Sequence, residues 1–238
     1  MARCGSGVRR ICLVGATGLV GASLIEACVG RGDIRLVAVS RREVPLPPDA
    51  RMEVLLAPTE GWNEAIAASN ANVFVCSLGT TMKAVGGDRE AFRAVDHDLV
   101  IASARAARAA GIGHMIMVSS VGADAASTNF YLRTKGETEA QLRKLGFERL
   151  DILQPSLLLG KRRQSRPLER LAVLFGPVMN LLLHGKARRF RAIRTSDLAE
   201  TILALAHERP AGKFTLEYDA MRYAAKRTGD YAPARAPA

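Results

Sequence analysis

The stretch Ile11-Cys12-Leu13-Val14-Gly15-Ala16-Thr17-Gly18-Leu19-Val20-Gly21 decides the fold of this 238-residue chain. Its four leading apolar residues predict a buried strand, and a run with helical spacing begins at Leu19. Between them, the first glycine permits a tight turn, the second lets a phosphate approach the backbone, and the third allows close helix–strand packing. The helix amino terminus then faces the phosphate charge. The turn is therefore predicted to bind the pyrophosphate of a dinucleotide through Gly15, Ala16, Thr17, Gly18, Leu19, Val20 and Gly21.

Outward from this turn, short apolar strands alternate with helices as far as Gln154. We predict strands over 11–14, 34–39, 52–56, 73–76, 115–118 and 150–154, and helices over 19–29, 63–69, 89–110 and 129–145. Near-continuous apolar strands indicate a parallel sheet that helices cover on both faces. The expected fold is a single-domain α/β structure with a doubly wound parallel sheet, the Rossmann fold. We place an N-terminal extension at 1–9, the domain at 10–222, and a disordered basic tail at 223–238.

The residues after the second strand bear on which dinucleotide would bind. A carboxylate near this point usually holds the ribose hydroxyls of NAD, but this chain has Ser40-Arg41-Arg42 there. Two guanidinium groups can pair bidentately with a 2′-phosphate, and no carboxylate stands within 40–42 to repel it. The sequence therefore favours NADP over NAD. The alternative is that both arginines are solvated loop residues.

Tyr131 and Lys135 are the candidate catalytic pair. Their i and i+4 spacing places both side chains on one helix face. A tyrosine ionises near pH 10, and a nearby ammonium favours the phenolate, so the pair can exchange a proton with a substrate oxygen. Ser119 and Ser120 end the preceding strand, where either hydroxyl could orient a carbonyl. The alternative for Tyr131 and Lys135 is a solvated pair on an ordinary helix.

Six segments in this order resemble an atypical member of the short-chain dehydrogenase/reductase superfamily, specifically the Tat-interacting-protein group of NADPH-binding oxidoreductases and their bacterial relatives. The resemblance covers about two-thirds of the chain, from residue 11 to about residue 167. It is carried by G-A-T-G-L-V-G at 15–21, S-R-R at 40–42, C-S-L-G-T-T at 76–81, V-S-S-V-G-A-D at 118–124, Y-L-R-T-K-G-E-T-E at 131–139, and Q-P-S-L-L-L-G at 154–160 followed by Ser165-Arg166-Pro167.

This resemblance implies a Rossmann fold, bound NADPH, and Tyr131 as proton donor or acceptor beside Lys135. It also implies two further cofactor contacts. The loop after the fourth strand would meet the adenine-ribose or pyrophosphate side, and 158–159 would lie near the nicotinamide; the residues concerned are Leu78, Gly79, Thr80, Leu158 and Leu159. The chain departs from the pattern at Gln154-Pro155, where many members have Arg-Pro. No asparagine is placed for a fourth catalytic role.

The formal net charge of +11 is concentrated in residues 161–194. That segment has one acid, Glu169, against ten basic residues: Lys161, Arg162, Arg163, Arg166, Arg170, Lys186, Arg188, Arg189, Arg191 and Arg194. Its apolar stretch at 171–183 favours a core helix pair with solvated arginines around it. The alternatives are contact with a protein or an anionic membrane, or steering of an anionic ligand. Nucleic acid is not expected, because interleaved aromatic residues are missing.

Cysteine usage and hydropathy bear on the compartment. Cys12 and Cys76 fall within predicted strands, and the four cysteines show neither a CxxC spacing nor a histidine cluster. We therefore expect reduced, buried thiols and no metal site. No signal-peptide pattern and no uninterrupted apolar stretch of about 20 residues is present. A soluble, cytoplasmic protein is expected.

These observations predict an NADP(H)-dependent oxidoreductase that acts on a small carbonyl-type substrate. The main alternative is an NADPH-binding regulatory or interaction protein with little or no turnover, since a fold does not by itself specify a reaction. A sugar-nucleotide epimerase or dehydratase is a weaker alternative, because the chain is short for the added substrate domain of such enzymes.

Overall fold

The computed structural model describes residues 7–160 and 183–230. Seven strands form one sheet and two short strands form another. In chain order they are β1 (Arg9–Val14), β2 (Ile34–Ser40), β3 (Glu53–Leu56), β4 (Val73–Cys76), β5 (His114–Val118), β6 (Arg149–Leu153), β7 (Leu158–Leu159), β8 (Ile193–Arg194) and β9 (Gly212–Leu216).

The described helices connect most of the strands, although β2 leads directly to β3 and β6 to β7. They are α1 (Leu19–Cys28), α2 (Trp62–Ala68), α3 (Arg89–Arg93), α4 (Val100–Ala109), α5 (Phe130–Leu142), α6 (Thr195–His207) and α7 (Tyr218–Lys226). A π-helical segment, Ala94–Leu99, joins α3 to α4, and 3-10 turns lie at Thr59–Gly61, Gly185–Phe190 and Arg227–Asp230. Among these residues, none of the helices has the length and apolar character needed to cross a bilayer.

The large sheet has the order β3-β2-β1-β4-β5-β6-β9, and every pairing in it is parallel. The predicted doubly wound Rossmann fold is therefore confirmed. The strand order reverses between β1 and β4, and the register pairs Val14 with both Val39 and Cys76. Ligands of such sheets bind at the carboxyl ends of the strands beside this reversal. The turn after β1 thus lies beside the segments that follow β2 and β4.

Two hydrophobic clusters sandwich the sheet. One packs β1, β2 and β4 against α1 and α6, with Leu24, Leu198 and Ile202 fully buried. The other packs the opposite face against α2, α4 and α5, around Phe74 and Met115. Strands covered on both faces explain why β1 and β4 read as continuous apolar runs.

The cysteines of β1 and β4 lie in this core. Cys12 and Cys76 are buried, as predicted, and both are free thiols. Burial raises the pKa of Cys12 to about 11 and that of Cys76 to about 12. Both thiols are therefore protonated at neutral pH.

The carboxyl-terminal part of the domain differs from the sequence-based prediction. Strand β9 was not predicted, because its exposed central residues lack the apolar run of the other strands. Residues 223–230 were assigned to a disordered tail, yet they continue α7 and a 3-10 turn. The buried side chain of Met221 and a hydrogen bond from Thr228 Oγ1 to the Glu200 carbonyl (2.8 Å) hold this end against α6. Alanine and arginine also favour helices intrinsically.

Candidate functional site

The glycine turn closes against the segment after β4. Gly15 has a φ of +88°, and a Cβ there would lie 2.6 Å from the backbone carbon of Ser77. A Cβ on Gly21 would collide with the Gly15 carbonyl oxygen. Gly18 stands at the cap position of α1 and has no side chain, so it supplies no acceptor for the first N–H groups of that helix. These are the requirements of a turn that brings its backbone close to a pyrophosphate.

Ser77, directly after β4, hydrogen-bonds to the end of β1. Its role was not predicted from the sequence. Its Oγ donates toward the carbonyl oxygens of Val14 (3.1 Å) and Gly15 (3.2 Å), and its backbone N–H donates to Val14 (3.0 Å). The turn after β1 and the loop after β4 therefore form one surface. A serine after an apolar strand is the only local signal, and such residues are common.

The Ser40-Arg41-Arg42 segment leaves β2 at the same edge of the sheet. Ser40 is buried, and its Oγ accepts the Arg42 backbone N–H at 3.4 Å. Arg41 and Arg42 are exposed. Among the described residues, no ion pair of either guanidinium is present.

Lys135 lies deep in the site rather than in solvent. Its side chain is 5% exposed, and its Nζ lies 2.7 Å from Oδ1 of Asp96, which is fully buried in the π-helical segment. Asp96 Oδ2 accepts the backbone N–H of Thr80 at 2.7 Å. The same Nζ lies 3.7 Å from the position that a Cβ on Gly79 would occupy. The structure thus brings Lys135 against the Leu78–Thr80 loop that follows β4.

Asp96 is the residue that sequence reasoning missed most clearly. A signal was present, because Phe92, Asp96 and Val100 follow at four-residue spacing and all three are fully buried. An acid within a buried helical stripe needs a partner, and here that partner is the lysine of the candidate pair.

Tyr131 is half-buried one turn before Lys135, and its ring packs on Phe92 with a centroid distance of 5.6 Å. The helix that carries both residues begins after Asn129, whose Oδ1 accepts the Leu132 N–H at 3.2 Å. Gly136 lets α5 approach the loop before it, because a Cβ there would collide with the backbone of Asp124 and Ala125. Close packing therefore fixes the helix face that bears Tyr131 and Lys135.

Ser119 and Ser120 have different surroundings. Ser119 is buried and its Oγ donates to Glu139 Oε1 at 2.5 Å, while Gln154 Nε2 donates to the same carboxylate at 2.9 and 3.0 Å. Ser120 is half-buried, and its Oγ makes only a 3.5 Å contact to the Val121 carbonyl within the described residues. The departure at Gln154 therefore gives the buried Glu139 two neutral partners.

Leu158 and Leu159 form β7, which pairs with β8 beside the glycine turn. Leu158 is half-buried and packs against the core on the α1 and α6 side. A Cβ on Gly160 would lie 3.0 Å from Leu19 Cδ1, so this segment contacts the turn itself.

Most of the basic segment, including the apolar stretch at 171–182, lies outside the described residues. Within its described part, Arg188 pairs with Asp219 at 2.7 Å and Arg189 with Glu217 at 3.8 Å. These are exposed ion pairs of small energetic weight.

Comparison with known proteins identifies relatives over most of the chain. The family model described as NAD(P)H-binding matches residues 15–208. A protein named "Protein fmp52, mitochondrial" from Emericella nidulans is 34% identical over 87% of this chain and 94% of its own length. "Protein HTATIP2" from Rattus norvegicus is 36% identical over 70% of each chain.

Solved structures support the fold. The Bordetella bronchiseptica enzyme WbmG in complex with NAD and UDP has a TM-score of 0.66 at 20% identity, covering 98% of this chain and 82% of that one. MoeE5 in complex with UDP-glucose and NAD has a TM-score of 0.66 at 14% identity, with coverages of 92% and 82%.

The mitochondrial names of several curated relatives contradict the cytoplasmic location expected from the sequence, and that prediction was wrong. It relied on hydropathy and cysteine usage, which report on bilayer insertion and redox state but do not encode an organelle. The fold, the glycine turn and these relatives agree on one assignment. The chain belongs to the NAD(P)H-binding family, as an atypical short-chain dehydrogenase/reductase of the HTATIP2-like group.

Proposed function

We propose that this protein is an NADP(H)-dependent oxidoreductase that reduces a small carbonyl substrate or oxidises the corresponding alcohol. The observation that carries this proposal is the place of Lys135. Its ammonium is buried against the Leu78–Thr80 loop, one helical turn from Tyr131 and at the same sheet edge as the glycine turn. A cation buried there supports a role in cofactor and substrate chemistry better than a solvated pair on an ordinary helix.

The cofactor would lie along the carboxyl ends of β2, β1 and β4. The backbone of the glycine turn would receive the pyrophosphate, and Arg41 and Arg42 would hold a 2′-phosphate. Ser40 would anchor that loop through its hydrogen bond to the Arg42 N–H. Beyond the turn, the Leu78–Thr80 loop and Leu158 would border the adenine-ribose and nicotinamide ends.

When bound, the reduced nicotinamide supplies a hydride to the carbonyl carbon. Tyr131 donates its phenolic proton to the carbonyl oxygen, so that one hydride and one proton complete the alcohol. Lys135 stabilises the phenolate that remains. Ser120 is the better candidate to orient the carbonyl, because the Ser119 hydroxyl is already committed to Glu139.

The test is NADPH oxidation by the purified protein with a panel of aldehydes, ketones and quinones, followed at 340 nm. With a substrate found in this way, Tyr131→Phe should lower kcat about 10²- to 10⁴-fold, because it removes the proton donor. NADPH affinity, measured by fluorescence, should change little. Binding of NADPH without turnover on any substrate would favour the NADPH-responsive binding protein instead, and an unchanged rate would remove Tyr131 from the mechanism.

Preference for NADPH is tested separately. Replacing Arg41 and Arg42 by alanine should weaken NADPH binding at least about tenfold, because charge-assisted hydrogen bonds to the 2′-phosphate are lost. NADH binding should be nearly unaffected. Arg35→Ala is the matched control, since Arg35 is an exposed arginine within β2 itself. Equal losses for NADPH and NADH would assign the two arginines to general charge attraction.

A further inference from the structure

We propose that Asp96 is the counter-ion of Lys135 and sets the charge that the Tyr131–Lys135 pair presents to cofactor and substrate. This inference deepens the proposed function and rests on it for its catalytic consequence. Asp96 is a positioning residue, because it acts through Lys135 and the Leu78–Thr80 loop.

The first support is the way in which Asp96 joins three elements. Its Oδ1 lies 2.7 Å from Lys135 Nζ on α5, and its Oδ2 accepts the Thr80 N–H after β4. Its own carbonyl oxygen accepts a 3.0 Å hydrogen bond from Thr138 Oγ1, one turn after Lys135. The π-helical segment Ala94–Leu99 carries it into this position. Local π-helical geometry is frequent at functional sites, where it redirects a side chain.

The second support is the depth of the ion pair. The Asp96 side chain is fully buried and that of Lys135 is 5% exposed, so water screens their interaction poorly. Removing either partner would leave the other as an uncompensated buried charge. Lys135 has three N–H donors, and its close charged contact within the described residues is the ion pair with Asp96. The ammonium can therefore keep its counter-ion while it donates to a cofactor hydroxyl.

Among the described residues, the ion pair of Lys135 is with Asp96 and not with the other titratable groups near it. On α5, Tyr131 lies one turn before it and Glu139 one turn after it, where Glu139 accepts hydrogen bonds from Ser119 and Gln154. On β4, burial raises the pKa of the Cys76 thiol to about 12, so that group is neutral. With Asp96 ionised, the positive charge that reaches Tyr131 is reduced.

The consequence has a definite sign. Asp96→Asn keeps an oxygen acceptor for the Thr80 N–H but removes the negative charge beside Lys135. The uncompensated ammonium then attracts the Tyr131 phenolate more strongly, so the tyrosine should ionise at lower pH, by about 1 pH unit. A purely structural role would alter stability and leave this ionisation in place.

The experiment is a pH titration of the tyrosinate absorbance near 295 nm on the full-length protein, without substrate. Subtracting the same titration of the Tyr131→Phe forms isolates Tyr131 from the other three tyrosines. The matched control is Glu137→Gln, which removes an acid from the same helix where it pairs with Arg93 at the surface and not with Lys135. We expect an acid shift in Asp96→Asn and none in Glu137→Gln. Folded Asp96→Asn with no shift, or equal shifts in both variants, would overturn the proposal.

A second variant covers the case in which Asp96→Asn alone fails to fold. Asp96→Asn combined with Lys135→Gln removes both charges together, and replacing both members of a buried pair is tolerated better than replacing one. Circular dichroism should then show recovery of the folded state in the double variant, whereas equal unfolding of both would contradict the counter-ion role. Because neither measurement requires turnover, absence of any carbonyl reductase activity would refute the proposed function without deciding this proposal.

Discussion

The two ends of the parallel sheet each bury a carboxylate against a cation, but they use the pair differently. At the amino end, Asp151 accepts two hydrogen bonds from Arg149, at 2.7 and 2.9 Å, and lies 2.8 Å from His114 Nε2. Arg149 also donates to the Pro210 carbonyl at 2.9 Å and covers the Phe214 ring. At the carboxyl end, Asp96 meets Lys135 through one oxygen.

This difference separates a structural ion pair from one that can serve a ligand. All three nitrogens of the planar Arg149 guanidinium donate to acceptors of the protein, so few of its N–H groups are available to a bound molecule. The ammonium of Lys135 is a compact charge with further donors, placed beside the glycine turn. The two ion pairs are thus similar in burial and charge. They differ in the number of N–H donors that the cation, Arg149 or Lys135, can still direct to a ligand.

The largest expected effect is a loss of stability when the buried group of Asp151, Arg149 and His114 at the amino end of the sheet is disrupted. Asp151→Asn leaves the Arg149 guanidinium buried without its counter-charge, and should lower the free energy of unfolding by about 3–5 kcal/mol. Urea denaturation measures this loss, and NADPH affinity of the folded fraction should be unchanged. Lys135→Met is the comparison variant. It should also lower stability, because Asp96 is left buried without its partner, but it should in addition reduce NADPH binding or turnover. A stable Asp151→Asn protein with weakened NADPH binding would contradict the assignment of the Asp151–Arg149 pair to structure and of the cofactor site to the carboxyl end of the sheet.

A smaller effect on stability and NADPH binding should distinguish two glycines with left-handed backbones. One follows the carboxyl end of β1, and the other precedes the amino end of β2. Gly15 has a φ of +88° and no room for a Cβ, whereas Gly30 has a φ of +74° and no atom of the described residues within 4 Å of a Cβ position. Both alanine variants should pay about 1–3 kcal/mol of backbone strain in urea denaturation. Only Gly15→Ala should also weaken NADPH binding, by at least about tenfold, because the turn must move away from Ser77. Equal NADPH affinities would show that the turn does not form the phosphate site.

The smallest effect is a change in the pH dependence of stability. Burial lowers the pKa of His114 below its ordinary value near 6.5, although Asp151 opposes this shift. The unfolded chain therefore takes up a proton near and below pH 6.5 that the folded protein resists. The free energy of unfolding decreases as the pH falls through that range, and above it, where the imidazole is neutral in both states, it does not depend on this residue's protonation. His114→Asn can still donate to Asp151 but cannot titrate, and its unfolding free energy should depend less on pH between 7 and 5. The NADPH affinity of the same variant should match that of the wild type, because His114 lies at the amino end.

Local periodicity made much of the fold predictable. The strand over residues 73–76 was predicted at its observed bounds, and most of the other strands and helices differ by a few residues at their ends. Strands buried on both faces leave a continuous apolar run, which a linear sequence displays directly. Strand β9 escaped prediction because its pairing with β6, and not its own hydropathy, holds it in place. The helix at 218–226 was also not predicted, and a hydrogen bond from Thr201 Oγ1 to the Met221 carbonyl ties it to α6.

The candidate site likewise has features that the local sequence predicts and features that depend on tertiary contacts. By itself the sequence determined the glycine turn and the spacing of Tyr131 and Lys135, because each depends on residues within a few positions of one another. Only the tertiary structure decided that Asp96 faces Lys135 across 39 positions, that Ser77 closes the turn at Gly15, and that Ser119 is committed to Glu139. Such contacts join helices to strand ends through the packing of the whole sheet. Their physical basis is burial, which forces each polar group to find a partner wherever the fold brings one.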